Sequence, residues 1–149
     1  MSWDKRIICD VDDTISTHIN RDYENAIPHA DIIEKLNSLY DSGYEIVYMT
    51  ARGQLSFKGD IEKIEKYRKP VLEKWLKKYN VKYTELVFTK PLGIYYIDDK
   101  SLRPDEFMNM EYEVLNGRSG ATVTRLGNRV LKTETSLEKI KSQYNWYKE

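Results

Sequence analysis

Three aspartates and a threonine stand close together near the beginning of the chain, directly after a short apolar run. The run 7–9 is followed by Asp10, Asp12, Asp13 and Thr14, with no basic residue between them. The run itself predicts a fully buried strand. Carboxylates this close repel and raise one another's pKa, so a counter-charge is needed, most economically a divalent cation. A cation held by carboxylates is typical of phosphate chemistry.

The composition excludes several classes of protein. A chain of 149 residues predicts one main core with room for a small appendage. The 24 basic and 24 acidic residues balance, so no overall field favours nucleic acid or an acidic membrane, and any anion site must be local. The single cysteine excludes an internal disulfide framework, and no apolar run approaches the length of a membrane span. The first residues lack the apolar core of a signal peptide, so we expect a cytoplasmic protein.

The elements after the acidic turn predict a strand, loop, helix and strand in succession. The polar segment 16–28 predicts a loop or a short flap over the end of the first strand. Pro28 opens a helix with one apolar face, and Gly43 stands where its C-terminal cap belongs. The segment 44–50 predicts the second strand. Such a crossover between strands is nearly always right-handed and parallel.

A second helix and two more strands follow. Asp60 caps a predicted helix over 61–79, which Pro70 is expected to kink or split. Short apolar runs at 86–88 and 94–97 predict the third and fourth strands. Strands alternating with helices imply an α/β fold with a parallel sheet, in which ligands bind at the carboxyl ends of the strands.

The four predicted strand ends carry polar residues in a characteristic order. They present the acidic turn, then Thr50 and Arg52, then Lys90, then Asp98 and Asp99. This ordered set resembles the four motifs of the haloacid dehalogenase (HAD) superfamily of phosphotransferases. The matching positions are Asp10-x-Asp12-x-Thr14 for the first motif, Thr50 for the second, Lys90 for the third and Asp98-Asp99 for the fourth.

The resemblance implies a three-layer, Rossmann-like α/β fold and a phosphatase mechanism. Asp10 would attack phosphorus and form an aspartyl phosphate, which divides the hydrolysis into two easier displacements. Asp12 would protonate the leaving oxygen and then accept a proton from the hydrolytic water. Thr50 and Lys90 would hold phosphoryl oxygens.

The resemblance also implies a Mg²⁺ ion. The ion would bridge Asp10, the backbone carbonyl of Asp12 and an acid of the fourth motif. Asp99 aligns with the usual metal ligand and Asp98 with its supporter, although the sequence leaves open which of the two binds the ion directly.

Two further residues are candidates for substrate binding, Thr14 in the acidic turn and Arg52 just after the second strand. Arg52 could reach the part of the substrate that does not react. An arginine that ties down its own loop is an equally good interpretation.

The intervals in which related proteins carry a cap domain are short here. They hold only the segment 16–28 and the loop 53–59, which resembles the type with a minimal cap or none. Relatives of that type act on large substrates or use a neighbouring subunit of a homo-oligomer as a lid. The region 96–107 is similar to small phosphatases of capsule and surface-polysaccharide biosynthesis, which implies a sugar phosphate or a related small phosphorylated metabolite.

Two other functions remain open alternatives. Polynucleotide 3′-phosphatases share an Asp-Asp ending, but no basic stripe interleaved with aromatic residues supports a nucleic-acid partner. A catalytically idle regulatory or assembly domain is the other alternative.

The last part of the chain stands outside the phosphatase pattern, which divides the sequence into a domain 1–112 and an extension 113–149. The glycine-rich stretch 114–123 and Lys132 resemble the first strands of an aminoglycoside-phosphotransferase-like or choline-kinase-like domain. The catalytic loop and metal motif of such kinases are absent from the sequence. The extension is therefore either a stub of a longer fusion or a small β-hairpin with a helix over 136–148.

Overall fold

The computed structural model describes residues 5–110, 122–126 and 129–134. The described residues fall into two units, one formed by residues 5–94 and the other beginning at Tyr95. The domain boundary predicted between 112 and 113 lies outside the described residues.

The first unit contains a parallel sheet, a small antiparallel ribbon and two helices. In chain order its elements are β1 (Arg6–Asp10), β2 (Ser16–Thr17), β3 (Ile27–Pro28), α1 (Ala30–Asp41), β4 (Glu45–Met49), α2 (Ile61–Lys78) and β5 (Glu85–Val87).

The sheet has the order β1-β4-β5, and all its strands are parallel. Asp10 pairs with Met49, and Met49 pairs with Val87, so the three strands end at the same level. The predicted α/β class with a parallel sheet is therefore confirmed. Residues that follow these strand ends must lie along one edge of the sheet.

Both helices bury one apolar stripe, as their spacing predicts. The stripes consist of Ile32, Ile33, Leu36 and Leu39 in α1, and of Ile64, Leu72, Trp75 and Leu76 in α2. The Asp60 carboxylate accepts a hydrogen bond from the Lys63 N–H at 3.3 Å and caps α2, as predicted. Pro70 does not split α2, which continues to Lys78. No helix in the described part of the chain is both long and apolar enough to cross a membrane.

The predicted flap is an ordered ribbon. Ser16 pairs with Pro28 and Thr17 with Ile27 in an antiparallel ladder. Ala26 is buried, and its carbonyl accepts a hydrogen bond from the indole N–H of Trp75 at 2.9 Å. The base of the flap is therefore tied to the C-terminal part of α2.

Two predictions about the strands are wrong. The run 94–97 is not a strand, and Ile94 and Ile97 are 88% and 97% exposed. A strand forms only where a neighbour satisfies its backbone groups, and no described strand pairs with this run. Ile8 in β1 is 53% exposed instead of fully buried. A parallel strand is buried on both faces only when layers cover both, so the three-layer arrangement stays a prediction.

The second unit contains α3 (Pro104–Asn109) and the antiparallel hairpin of β6 (Thr122–Leu126) and β7 (Arg129–Glu134). The Glu106 carboxylate accepts a hydrogen bond from the Arg103 N–H at 2.8 Å at the start of α3. The hairpin predicted for the C-terminal extension is confirmed. The predicted helix over 136–148 and the glycines of the kinase-like stretch lie outside the described residues.

We predict that Trp75→Phe lowers the free energy of unfolding by about 1–3 kcal/mol, because the buried Ala26 carbonyl loses its donor. Urea unfolding followed by circular dichroism measures the change. Tyr40→Phe is the control, since it removes a hydroxyl from a side chain that is exposed on α1. The control should change the free energy by less than about 0.5 kcal/mol. Equal effects of the two substitutions would contradict the role of the indole hydrogen bond.

Candidate functional site

The acidic turn after β1 is a rigid backbone structure. Its apolar anchors, Val11 and Ile15, are completely buried. The Val11 carbonyl accepts hydrogen bonds from the N–H groups of Thr14 and Ile15, at 3.2 Å and 3.0 Å. Asp13 has a φ of 60°, a conformation that aspartate tolerates better than most residues. The side chains of Asp10 and Asp12 are therefore presented by a fixed turn.

His29 joins the flap to this turn. Its Nδ1 lies 2.9 Å from the Thr14 carbonyl oxygen, and its Nε2 lies 2.6 Å from the Thr17 hydroxyl. A carbonyl can only accept, so Nδ1 carries the proton and Nε2 accepts from Thr17. The backbone N–H of His29 also donates to the Ile15 carbonyl at 2.8 Å. Sequence reasoning missed this residue, because an isolated histidine in a polar segment gives no sign of its partners.

The carboxylate of Asp10 forms an ion pair with Lys90. The Lys90 Nζ lies 3.0 Å from Asp10 Oδ1, and the Lys90 side chain is only 15% exposed. Lys90 follows β5 by three residues, and the Gln54 side chain holds this connection by donating to the Phe88 carbonyl at 2.7 Å. The sequence predicted that these two residues would both follow strands of one parallel sheet, and the structure brings their side chains together.

Burial raises the pKa of the Asp10 carboxyl above its ordinary value, although the hydrogen bond and charge of Lys90 lower it. The negative charge of Asp12 adds to the rise. The carboxylate form of Asp10 is thus a destabilised anion. Burial also raises the pKa of the neighbouring Cys9 thiol to about 12, so the thiol stays protonated at neutral pH and is not a nucleophile.

Asp12 has its own cation, the guanidinium of Arg52. The Arg52 Nε lies 3.1 Å from both carboxylate oxygens of Asp12, and Nη2 lies 2.9 Å from Oδ1. The Arg52 side chain is 1% exposed. The buried Thr50 hydroxyl is 3.4 Å from Asp12 Oδ2 and accepts a hydrogen bond from the Arg52 N–H at 3.1 Å. Asp10 and Asp12 are therefore neutralised by different residues from different strand ends.

The loop that carries Arg52 is fixed by the glycine that follows it. Gly53 has a φ of 81°, and a Cβ at this position would lie 2.9 Å from a side-chain carbon of Ile64 in α2. Phe57 and Arg68 would also be within 3.3 Å of that Cβ. Only glycine fits both the backbone conformation and the close packing on α2.

Two residues of the flap complete the surroundings of Asp12. The Tyr23 ring lies over the Arg52 guanidinium, 4.2 Å from ring centre to Cζ. His18 packs edge to face against Tyr23, with ring centres 4.8 Å apart, and its Nε2 lies 3.7 Å from Asp12 Oδ1. His18 and Tyr23 were not among the predicted site residues, because the flap shows no periodicity.

The other predicted site residues are less closely engaged. The Thr14 hydroxyl donates to Asp10 Oδ2 over a long 3.5 Å. Asp98 and Asp99 belong to the second unit, where they are exposed in a turn with Lys100. A hydrogen bond with Asp98 lowers the pKa of Asp99, and the Lys100 ammonium, 3.0 Å away, lowers it further. Their role as metal ligands stays a prediction.

The donors at Asp10 fit a hard cation such as Mg²⁺, which prefers carboxylate and carbonyl oxygens. The Oδ2 atom accepts only a long hydrogen bond, so a lone pair remains for a metal, and burial makes a nearby positive charge favourable. Within the ranges that the structure describes, no three histidine, cysteine, aspartate or glutamate side chains gather as a complete metal site. Asp10 could therefore supply one ligand of such an ion, and the other ligands stay predictions from the sequence.

Comparisons with known proteins give one structural relative. A crystal structure described as an MCSG target from Vibrio cholerae is 37% identical in sequence, with a TM-score of 0.70. The match covers 74% of this chain and 92% of that protein. The chain therefore belongs to the same family as the Vibrio cholerae protein, whose description names no activity. No family model matches the sequence, and no curated protein matches it.

We predict that Asp10→Asn raises the thermal midpoint at pH 7 in the presence of EDTA. The folded-state pKa of Asp10 lies above its ordinary value of 3.8, so the native state binds the proton more tightly than the unfolded state. The stability of the wild type therefore falls as the pH rises from 3.8 through the folded-state pKa.

Thermal scans of both proteins at several pH values measure this difference. The difference in thermal midpoint between Asp10→Asn and the wild type should shrink as the pH falls toward 4, because the wild-type carboxyl is then protonated. A variant that is less stable than the wild type at pH 7 would contradict the assignment of a destabilised anion.

Proposed function

We propose that the chain is a Mg²⁺-dependent phosphohydrolase of the HAD type that removes phosphate from a small phosphomonoester. The observation that carries the proposal is the separate pairing of two carboxylates in one rigid turn, Asp10 with Lys90 and Asp12 with Arg52. Different partners allow the two groups to have different chemical roles. The order of the first three motifs at the ends of β1, β4 and β5 supports the HAD-like, Rossmann-like form of the fold.

Asp10 is the proposed nucleophile. One of its carboxylate oxygens attacks phosphorus, the bond from phosphorus to the leaving oxygen breaks, and an aspartyl phosphate forms. The partial burial of the carboxylate supports this role, because a destabilised anion gains when its charge passes to the substrate. Lys90, already at the carboxylate, is placed to neutralise phosphoryl oxygens as they approach Asp10.

Asp12 is the proposed acid and base. Its proton passes to the leaving alcohol oxygen, and it later accepts a proton from the water that hydrolyses the aspartyl phosphate. Mg²⁺, when bound at Asp10, the Asp12 carbonyl and an acid of the pair Asp98 and Asp99, would offset the charge between nucleophile and phosphate. The similarity of 96–107 to phosphatases of surface-polysaccharide biosynthesis supports a sugar phosphate as the substrate.

We predict that Asp10→Asn lowers the hydrolysis of p-nitrophenyl phosphate by about 10³-fold or more, because the nucleophile is lost. Asp13→Asn is the matched control. Asp13 lies in the same turn, is exposed, and has a positive φ that asparagine also adopts. The control should keep turnover within about threefold of wild type. Retained activity in Asp10→Asn would rule out Asp10 as the nucleophile.

We predict that Mg²⁺ raises the thermal midpoint of the wild-type protein and that Asp99→Asn abolishes the rise. At a hundredfold excess over its dissociation constant, the ion should add about 2.7 kcal/mol to the free energy of unfolding. Asp98→Asn is the matched variant and should retain part of the effect. A wild-type midpoint that does not respond to Mg²⁺ would favour a catalytically idle domain.

A substrate panel separates the remaining alternatives. Sugar, polyol and nucleotide phosphates are assayed with Mg²⁺ beside an oligonucleotide that carries a 3′-phosphate. Faster hydrolysis of the oligonucleotide than of every sugar phosphate would replace the proposed substrate class with nucleic acid.

A further inference from the structure

The residues that surround Asp12 form a compact group, which we call the Arg52 cluster: Arg52, His18 and Tyr23. Arg52 and His18 both approach the same Asp12 oxygen, Oδ1, at 2.9 Å and 3.7 Å. Tyr23 contacts both of them and covers the face of the guanidinium. The cluster joins the loop after β4 to the flap, and its three residues all belong to the first unit.

The cluster contains two buried nitrogens without a hydrogen-bond partner among the residues that the structure describes. They are Arg52 Nη1 and His18 Nδ1. Arg52 is 1% exposed, and its Nε and Nη2 are already engaged by Asp12. A guanidinium donor that is buried without an acceptor is unfavourable, because it has lost water and gained nothing in exchange. The missing partner must be an acceptor, and a charged acceptor would bind best.

The position of the cluster shows which part of a substrate would supply that acceptor. Lys90 and Thr14 contact the Asp10 carboxylate, where the phosphoryl group would be attacked. The Arg52 cluster contacts the Asp12 carboxylate, which in the proposed mechanism faces the leaving oxygen. An anion bound at Arg52 would therefore belong to the leaving alcohol and not to the transferred phosphate.

We propose that the Arg52 cluster binds a carboxylate on the leaving group, so that the substrate is a phosphomonoester of an acidic alcohol, such as a uronic acid or another hydroxy acid. This inference rests on the proposed function and names its substrate class. The substrate carboxylate accepts from Arg52 Nη1 and draws the guanidinium away from Asp12.

The test uses pairs of phosphomonoesters that differ only in the carboxylate. Glucuronic acid 1-phosphate is compared with glucose 1-phosphate, and 3-phosphoglycerate with glycerol 3-phosphate. In at least one pair, kcat/KM of the wild type should be about tenfold or more higher for the acidic member, as expected for one charge-assisted hydrogen bond. Equal kcat/KM values within both pairs would overturn the inference.

Variants of Arg52 show whether this residue causes the higher kcat/KM for the acidic member of a pair. Arg52→Gln should slow both members of a pair and reduce the ratio of their kcat/KM values to within about twofold. Arg52→Lys keeps a cation but loses the planar guanidinium, so the ratio of kcat/KM values for the acidic and neutral members should also fall. This variant replaces Arg52→Gln in the test if the glutamine variant does not fold. Arg21→Gln, an exposed position in the same flap, should keep the wild-type ratio. A preference that survives in both Arg52 variants would overturn the inference, because Arg52 would then act only on structure or on the transferred phosphate.

A binding measurement separates this inference from the proposed hydrolysis. Thermal shifts are recorded with each of the same four compounds on the wild type and on Arg52→Gln. If no compound is hydrolysed but the acidic members stabilise the wild type more than their neutral partners, and the variant shows no such difference, the anion site stands and the hydrolase proposal fails. If neither hydrolysis nor an Arg52-dependent shift is found, both fail.

Discussion

Two carboxylates at the end of one strand require two sources of positive charge, and this requirement organises the first unit. Asp10 is the last residue of β1 and Asp12 lies in the turn after it, but their cations follow the other two strands of the sheet. The level ends of β1, β4 and β5 make both ion pairs possible, because Asp10, Met49 and Val87 are in register. The parallel sheet thus places the two carboxylates and their two cations along one edge.

The carboxylates of Asp10 and Asp12 each have their own cation instead of sharing one. Lys90 is held close to Asp10 by the connection after β5, while Arg52 is fixed to Asp12 and covered by Tyr23. If one cation served both carboxylates, their protonation would be strongly coupled. Separate partners give the two carboxylates different surroundings, an ammonium at Asp10 and a guanidinium at Asp12.

The sequence predicted the sheet and the residues at its ends better than the way their side chains pair. The sequence placed Asp10 and Lys90 at the carboxyl ends of strands of one parallel sheet, and so at one edge, but it did not predict their ion pair. The partner of Arg52 could not be predicted, because a separation of 40 residues says nothing about side-chain direction.

The run 94–97 was predicted to be a strand because its residues are apolar, and apolar residues tend to be buried. Whether an apolar run pairs with another strand depends on the tertiary structure, and amino-acid composition gives no information about that.

The loop after β4 contains two neighbouring residues, Arg52 and Gly53, that are held in place in different ways. Gly53 is confined by its backbone conformation and by Ile64, so any other residue would displace the loop from α2. Arg52 is not restricted in this way, since its side chain is held by partners and not by backbone geometry. A larger residue at position 53 would therefore move the loop and, with it, the arginine that pairs with Asp12.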